Sequence, residues 1–113
     1  MEQHKTGVWI LRIGLASVFL WFGFSQLIDG VHWVSWVPEW APAIMHLPPA
    51  MIVLANGAFE VICGTMLALG FFVRPVAALL ALHLAILVLS IGLTQIGVRD
   101  FGLMMANLAL VFL

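Results

Sequence analysis

The sequence predicts an all-α membrane protein: a membrane-spanning four-helix bundle with a Trp- and Pro-rich interfacial loop between helices 1 and 2. Three observations predict it. Of 113 residues, 65% are hydrophobic and only 8% are charged, against about 25% charged in an ordinary soluble domain. Three apolar runs of about 20 residues each match a hydrocarbon core roughly 30 Å thick. The runs are continuously apolar instead of alternating, which argues against a β-barrel. A globule this small has too little interior to hide so much apolar surface, so lipid is the expected solvent for most side chains. The length accommodates one domain, residues 1–113.

The first span is expected over residues 7–28, behind a short polar start that carries Lys5. Its apolar stretch is too long for a signal-peptide core and is followed by no small-residue cleavage site, so it reads as a retained helix. Residues 29–49 differ in kind, holding Trp33, Trp36, Trp40, His32, Glu39, His46 and the prolines 38, 42, 48 and 49. Prolines prevent one long helix here, and Trp favours the half-wet headgroup zone. Two forms fit: a short amphipathic segment on the membrane surface, or a cap over the mouth of the helices.

The second span is expected over 50–72 and the third over 75–96, separated by a turn at Val73-Arg74-Pro75. Gly70 supplies a helix C-terminal signal and Pro75 a helix start. A second tight turn is expected at Gly97-Val98-Arg99-Asp100, with Asp100 as N-cap of a fourth span over 101–113. Thirteen residues cover only about 20 Å as a helix. The end of that helix is therefore submerged, buried by neighbours, or continued in the natural chain. Short turns make consecutive helices antiparallel neighbours. Lys5, Arg12 and Arg74 then share one side and Arg99 takes the other, which puts both termini in the cytoplasm. The expected location is a bacterial inner (plasma) membrane.

Polar residues within the spans fall on helical stripes. Arg12, Ala16, Phe19, Gly23 and Gln26 share one face, as do Asn56, Glu60 and Gly64. His83, Ser90 and Thr94 form a third stripe, and Asp100, Met104 and Asn107 a fourth. Intramembrane polar residues are costly and tend to face a protein interior. Glu60, Asn56, His83, Arg12 and Asn107 are accordingly the candidate polar interior, with Gln26, Arg99 and Asp100 at its mouth. Glu60 comes roughly 15 Å from the outer end of its helix. A carboxylate at that depth takes up a proton or finds a cation, and Arg12 is long enough to reach toward it. Glu60 fits either a proton-transfer or ligand-contact role, as for a quinone-like head group, or a structural hydrogen-bonded link between helices. His83 fits a packing role, a proton relay or a haem ligand. His4, His32 and His46 lie outside the spans, however, so bis-His haem ligation has no support.

Other signals exclude more than they assign. Cys63 is the only cysteine, which rules out an internal disulfide, a CxxC pair and a cysteine metal cage; it reads as a small packing residue. No metal site is expected. A net charge of −1 gives no reason to expect nucleic acid as a partner. Gly14, Gly23, Gly57 and Gly64 are expected to permit close helix approach. No P-loop, HExxH or GxGxxG pattern occurs.

Three stretches resemble the DoxX-like family of small four-helix membrane proteins. They are Leu11-Arg12-Ile13-Gly14 followed by Phe19-Leu20-Trp21-Phe22-Gly23-Phe24-Ser25-Gln26-Leu27; then Asn56-Gly57-Ala58-Phe59-Glu60-Val61-Ile62-Cys63-Gly64 with Leu69-Gly70, Arg74-Pro75 and Ala77-Ala78; and Val98-Arg99-Asp100-Phe101-Gly102-Leu103. The family often carries Lys where Gln26 stands, which leaves Arg12 and Arg99 as the available cations. Some relatives look like membrane subunits of thiosulfate:quinone oxidoreductase, others are linked to membrane redox complexes, and more distant ones assist membrane-protein assembly. The resemblance implies a small subunit of a quinone-linked membrane oxidoreductase system, acting with other membrane or peripheral redox subunits and not as a stand-alone catalyst. Quinone, not haem, is the cofactor it points to, and a homo-oligomer is compatible with it. The alternative is a non-catalytic factor that assembles or stabilises another membrane protein.

Overall fold

The computed structural model describes residues 2–92 and 94–113. Its helices are α1 (Glu2–Ile28), α2 (Trp40–Met45), α3 (Pro49–Leu69), α4 (Val73–Ile91) and α5 (Gln95–Phe112), with a 3₁₀ helix at Gly30–Trp36 between α1 and α2. The segments Gln3–Ile28, Pro49–Leu69 and Val73–Ile91 are long and apolar enough to cross a membrane. At most 33% of the residues in any of these spans are buried inside the protein. The outward positions hold side chains such as Trp21, Leu82 and Leu89. In water such a continuous apolar exterior would drive association; lipid tails match it.

Helix α1 packs chiefly on α3 and α4 on α5, while lighter contacts join α1 to α5 and α3 to α4. Glycines set the first of these interfaces. A Cβ on Gly57 would stand 2.9 Å from the Gly23 carbonyl oxygen, and one on Gly23 would stand 3.0 Å from the Gly57 carbonyl oxygen. The two backbones therefore meet directly, as small residues allow between membrane helices. Gly64 extends the contact against Ala16, Phe19 and Leu20, but Gly14 faces open space and takes no part. The apolar core gathers at the far end from the Trp-rich segment: Leu15, Phe19, Cys63, Leu67, Leu80 and Leu84, with Leu110 from α5.

Both turns fall earlier in the chain than expected. Helix α3 ends at Leu69 and Gly70 adopts φ +83°; the Gly70 and Phe71 amides both donate to the Met66 carbonyl at 2.9 Å. Gly70 thus ends the helix as its sequence suggests. The turn itself is residues 70–72, and Val73, Arg74 and Pro75 already form the first turn of α4. A proline there lacks an amide hydrogen that would have no partner anyway.

The second correction is larger. Helix α4 stops at Ile91, and Thr94, not Asp100, caps α5, its Oγ1 accepting the Gly97 amide at 3.0 Å. With the cap at Thr94, Arg99 and Asp100 lie inside the helix, where Arg99 Nε and Nη2 donate to Asp100 Oδ1 at 2.9 and 2.6 Å. The paired charges hold each other in the interior and do not mark a solvated turn. Helix α5 consequently has 18 residues, about 27 Å, and the short fourth helix of the sequence reading disappears.

Candidate functional site

The site stands on three helices and the connecting segment. On α1 and α3, Gln26 and Glu60 are buried, Glu60 only 5% exposed, with Asn56 beside them. Direct contact of Gly23 with Gly57 brings these side chains within hydrogen-bond reach across the interface. Asn56 Nδ2 donates to Gln26 Oε1 at 2.7 Å and, at a longer 3.4 Å, to Glu60 Oε1. Gln26 Nε2 reaches Glu60 Oε2 at 3.5 Å. The short bond is thus between the amides, while both carboxyl contacts lie beyond the favoured hydrogen-bond length.

Helix α5 adds the Arg99–Asp100 pair. Asp100 is 1% exposed, and the Arg99 guanidinium carbon lies 4.2 Å from the centre of the Phe22 ring, a cation–π contact. The pair uses only part of its hydrogen-bonding capacity, for Arg99 Nη1 and Asp100 Oδ2 are buried without a partner. Leaving such groups unmatched costs about 1–3 kcal/mol each, more where charged.

These five side chains border one cavity of about 90 Å³. Its other walls are apolar, from Leu87 and Ile91 on α4 and from Trp33, Trp36 and Pro38 in the connecting segment. Trp33 is fixed edge-on to Phe22, centroids 5.5 Å apart at 87°, and its indole donates to Ser25 Oγ at 3.1 Å. Trp40 donates to Ser90 Oγ at 3.1 Å. The connecting segment therefore covers the polar cluster. A volume of this size admits several waters or a ring-sized group, with polar atoms on one side and hydrocarbon on the other. Among the described residues no group of three His, Cys, Asp or Glu side chains converges to hold a metal ion.

A family model for DoxX matches residues 7–93. The chain belongs to the DoxX family. It is a DoxX-like membrane protein, although no curated protein and no solved structure matches it. The matched stretch contains Gln26, Asn56 and Glu60 but stops before α5. The Arg99–Asp100 pair and the motif over 98–103 therefore lie beyond it.

The remaining sequence candidates of this DoxX chain sit elsewhere. Arg12 does not reach Glu60: its guanidinium lies against Gly70, 3.4 Å from where a Cβ would stand, ten residues further along α3. There it faces the carboxyl end of that helix, a favourable place for a cation. His83 packs against Phe59 in a tilted arrangement, centroids 4.8 Å apart at 50°, with Nε2 buried and unpartnered. Asn107 is fully buried and donates to the Leu103 carbonyl at 2.9 Å. None of these three lines the cavity. The sequence left the segment of Trp33 and Trp36 either on the membrane surface or as a cap over the mouth of the helices, and both indoles are walls of the cavity. Their three-residue spacing was the available signal, since residues i and i+3 eclipse on a 3₁₀ helix.

Proposed function

We propose that this DoxX protein is a membrane-spanning four-helix bundle that receives the head group of a quinone-type ligand, as a small subunit of a quinone-linked oxidoreductase system. The observation that carries the reading is the cavity that sets Gln26, Asn56, Glu60, Arg99 and Asp100 opposite an apolar wall. A quinone head group is a flat ring with oxygens at opposite edges, so it needs polar partners at its rim and hydrocarbon or aromatic faces against its plane. The Gln26 and Asn56 amides and the Glu60 carboxyl, held to one another by contacts of which two are long, supply the polar rim. The ring carries the redox chemistry; the protein binds and orients it. Electrons then come from a partner subunit.

In this reading α5 crosses the bilayer with α1, α3 and α4, and residues 1–113 form one domain. Both termini face the cytoplasm of a bacterial inner membrane, because Lys5, Arg12 and Arg74 lie toward the end opposite the Trp-rich segment. Purification in mild detergent followed by mass spectrometry tests the reading, with bound quinone near one per chain as the expected result. Stoichiometric partner proteins without quinone would instead support an assembly or stabilising role.

A further inference from the structure

We infer that the ligand's alkyl tail leaves the cavity sideways, through the seam between α3 and α4 into the lipid, an inference that rests on the quinone reading above. A ring-sized group fills the cavity of about 90 Å³. The tail that dissolves a quinone in a bilayer must then lie outside, and it needs a gap in the walls.

Three of the four seams are closed near the cavity. Between α1 and α3 the backbones meet at Gly23 and Gly57, where a Cβ on either would stand within 3.0 Å of the other's carbonyl oxygen. Between α4 and α5 the packing is dense, and Gly97 lies so close to the Gly92 carbonyl that a Cβ has no room. Between α1 and α5 the Phe22 ring is the plug, with the Arg99 guanidinium over its face at 4.2 Å and Trp33 edge-on at 5.5 Å. Overhead, the Trp33 and Trp40 indoles fasten the connecting segment to Ser25 and Ser90.

The α3–α4 seam differs. Contacts across it are sparse, and the polar side chains beside it bond elsewhere: Asn56 to Gln26 of α1, and Ser90 to Trp40 and the Ile86 carbonyl. Phe59 and His83 meet across its lower side, centroids 4.8 Å apart, and the Trp40–Ser90 bond marks its upper side. From His83 to Ser90 is about 10 Å along one face of α4, a window tall enough for an alkyl chain. Its frame is apolar. Ile52 on α3 and Leu87 and Ile91 on α4 border the cavity and are only half-buried, whereas Gln26, Glu60 and Asp100 on the polar side are buried. A ring seated with its rim toward Gln26 and Glu60 thus has its tail toward hydrocarbon.

The test is photolabelling of the purified full chain in lipid nanodiscs. The probe is a benzoquinone whose alkyl tail carries a diazirine beside the ring, and labelled residues are mapped by mass spectrometry with and without excess decyl-substituted benzoquinone. Label on the outward residues Trp21 and Leu89 should be indifferent to the competitor and serves as the internal reference. Label on Ile52, Leu87 and Ile91 should be lost when the competitor is added. Competitor-sensitive label on α1, α5 or the connecting segment instead overturns the exit between α3 and α4 and leaves the quinone reading intact. Label that the competitor suppresses nowhere overturns both.

Discussion

The two ends of the helices are built on different terms. At the Gly70 end, Leu15, Phe19, Cys63, Leu67, Ala77, Leu80 and Leu84 close against one another as an apolar core. At the Trp end, the same helices carry Gln26, Asn56, Glu60, Arg99 and Asp100 around a cavity that remains open. Apolar side chains of varied size interlock in any orientation that fills space. Amides and carboxyls need particular partners at particular lengths, and here several stay long or unmatched. The difference teaches that one end carries packing stability and the other leaves hydrogen-bonding capacity for something else to use.

Substitutions on either side should separate these contributions. Leu67 is fully buried in the core, and Leu67→Ala should give the largest loss of stability, about 2–4 kcal/mol, in detergent unfolding. The fraction still folded should bind ligand as before, because Leu67 lies away from the cavity; a parallel loss of binding would erase the distinction between the two ends. Glu60→Leu should cost about 1–3 kcal/mol by leaving the inward amide hydrogens of Asn56 and Gln26 without their acceptor. Glu60→Gln should retain most of that stability in the same assay while altering ligand binding. If Leu at position 60 is as stable as Glu, the polar cluster is not a hydrogen-bonded unit. The smallest effect belongs to Trp40→Phe, which keeps the aromatic ring and removes one hydrogen bond to Ser90, a change of about 0.5–1.5 kcal/mol in the same unfolding measurement.

Much of this division was legible before any coordinates. Helical spacing alone placed Ala16, Phe19, Gly23 and Gln26 on one buried face, and Glu60 with Gly64 on another. Apolar length marked the three spans, and the order of short motifs pointed to the family that the match over residues 7–93 establishes. What stayed hidden depended on contacts between distant or unexpectedly paired groups. Adjacent opposite charges at Arg99 and Asp100 look like a solvated turn until their mutual pairing and the Phe22 ring are seen. Arg12 has reach enough for several partners, and length alone does not choose the end of α3 over Glu60. The roof over the cavity depends on Trp33 meeting Ser25 of α1 and Trp40 meeting Ser90 of α4, distant pairings that no local pattern specifies.

The two indole hydrogen bonds of that roof are anchored on different helices, Trp33 on Ser25 of α1 and Trp40 on Ser90 of α4. Contacts between α3 and α4, and between α1 and α5, are much sparser than those within the α1–α3 and α4–α5 pairs. The segment between the two indoles is therefore a cross-tie over the weakest seam in the molecule. Sliding the pairs apart pulls on both anchors at once, and separation beyond the slack of the intervening residues must release one of them. Each bond is individually modest, worth about 0.5–1.5 kcal/mol, so the tie restrains the seam without locking it.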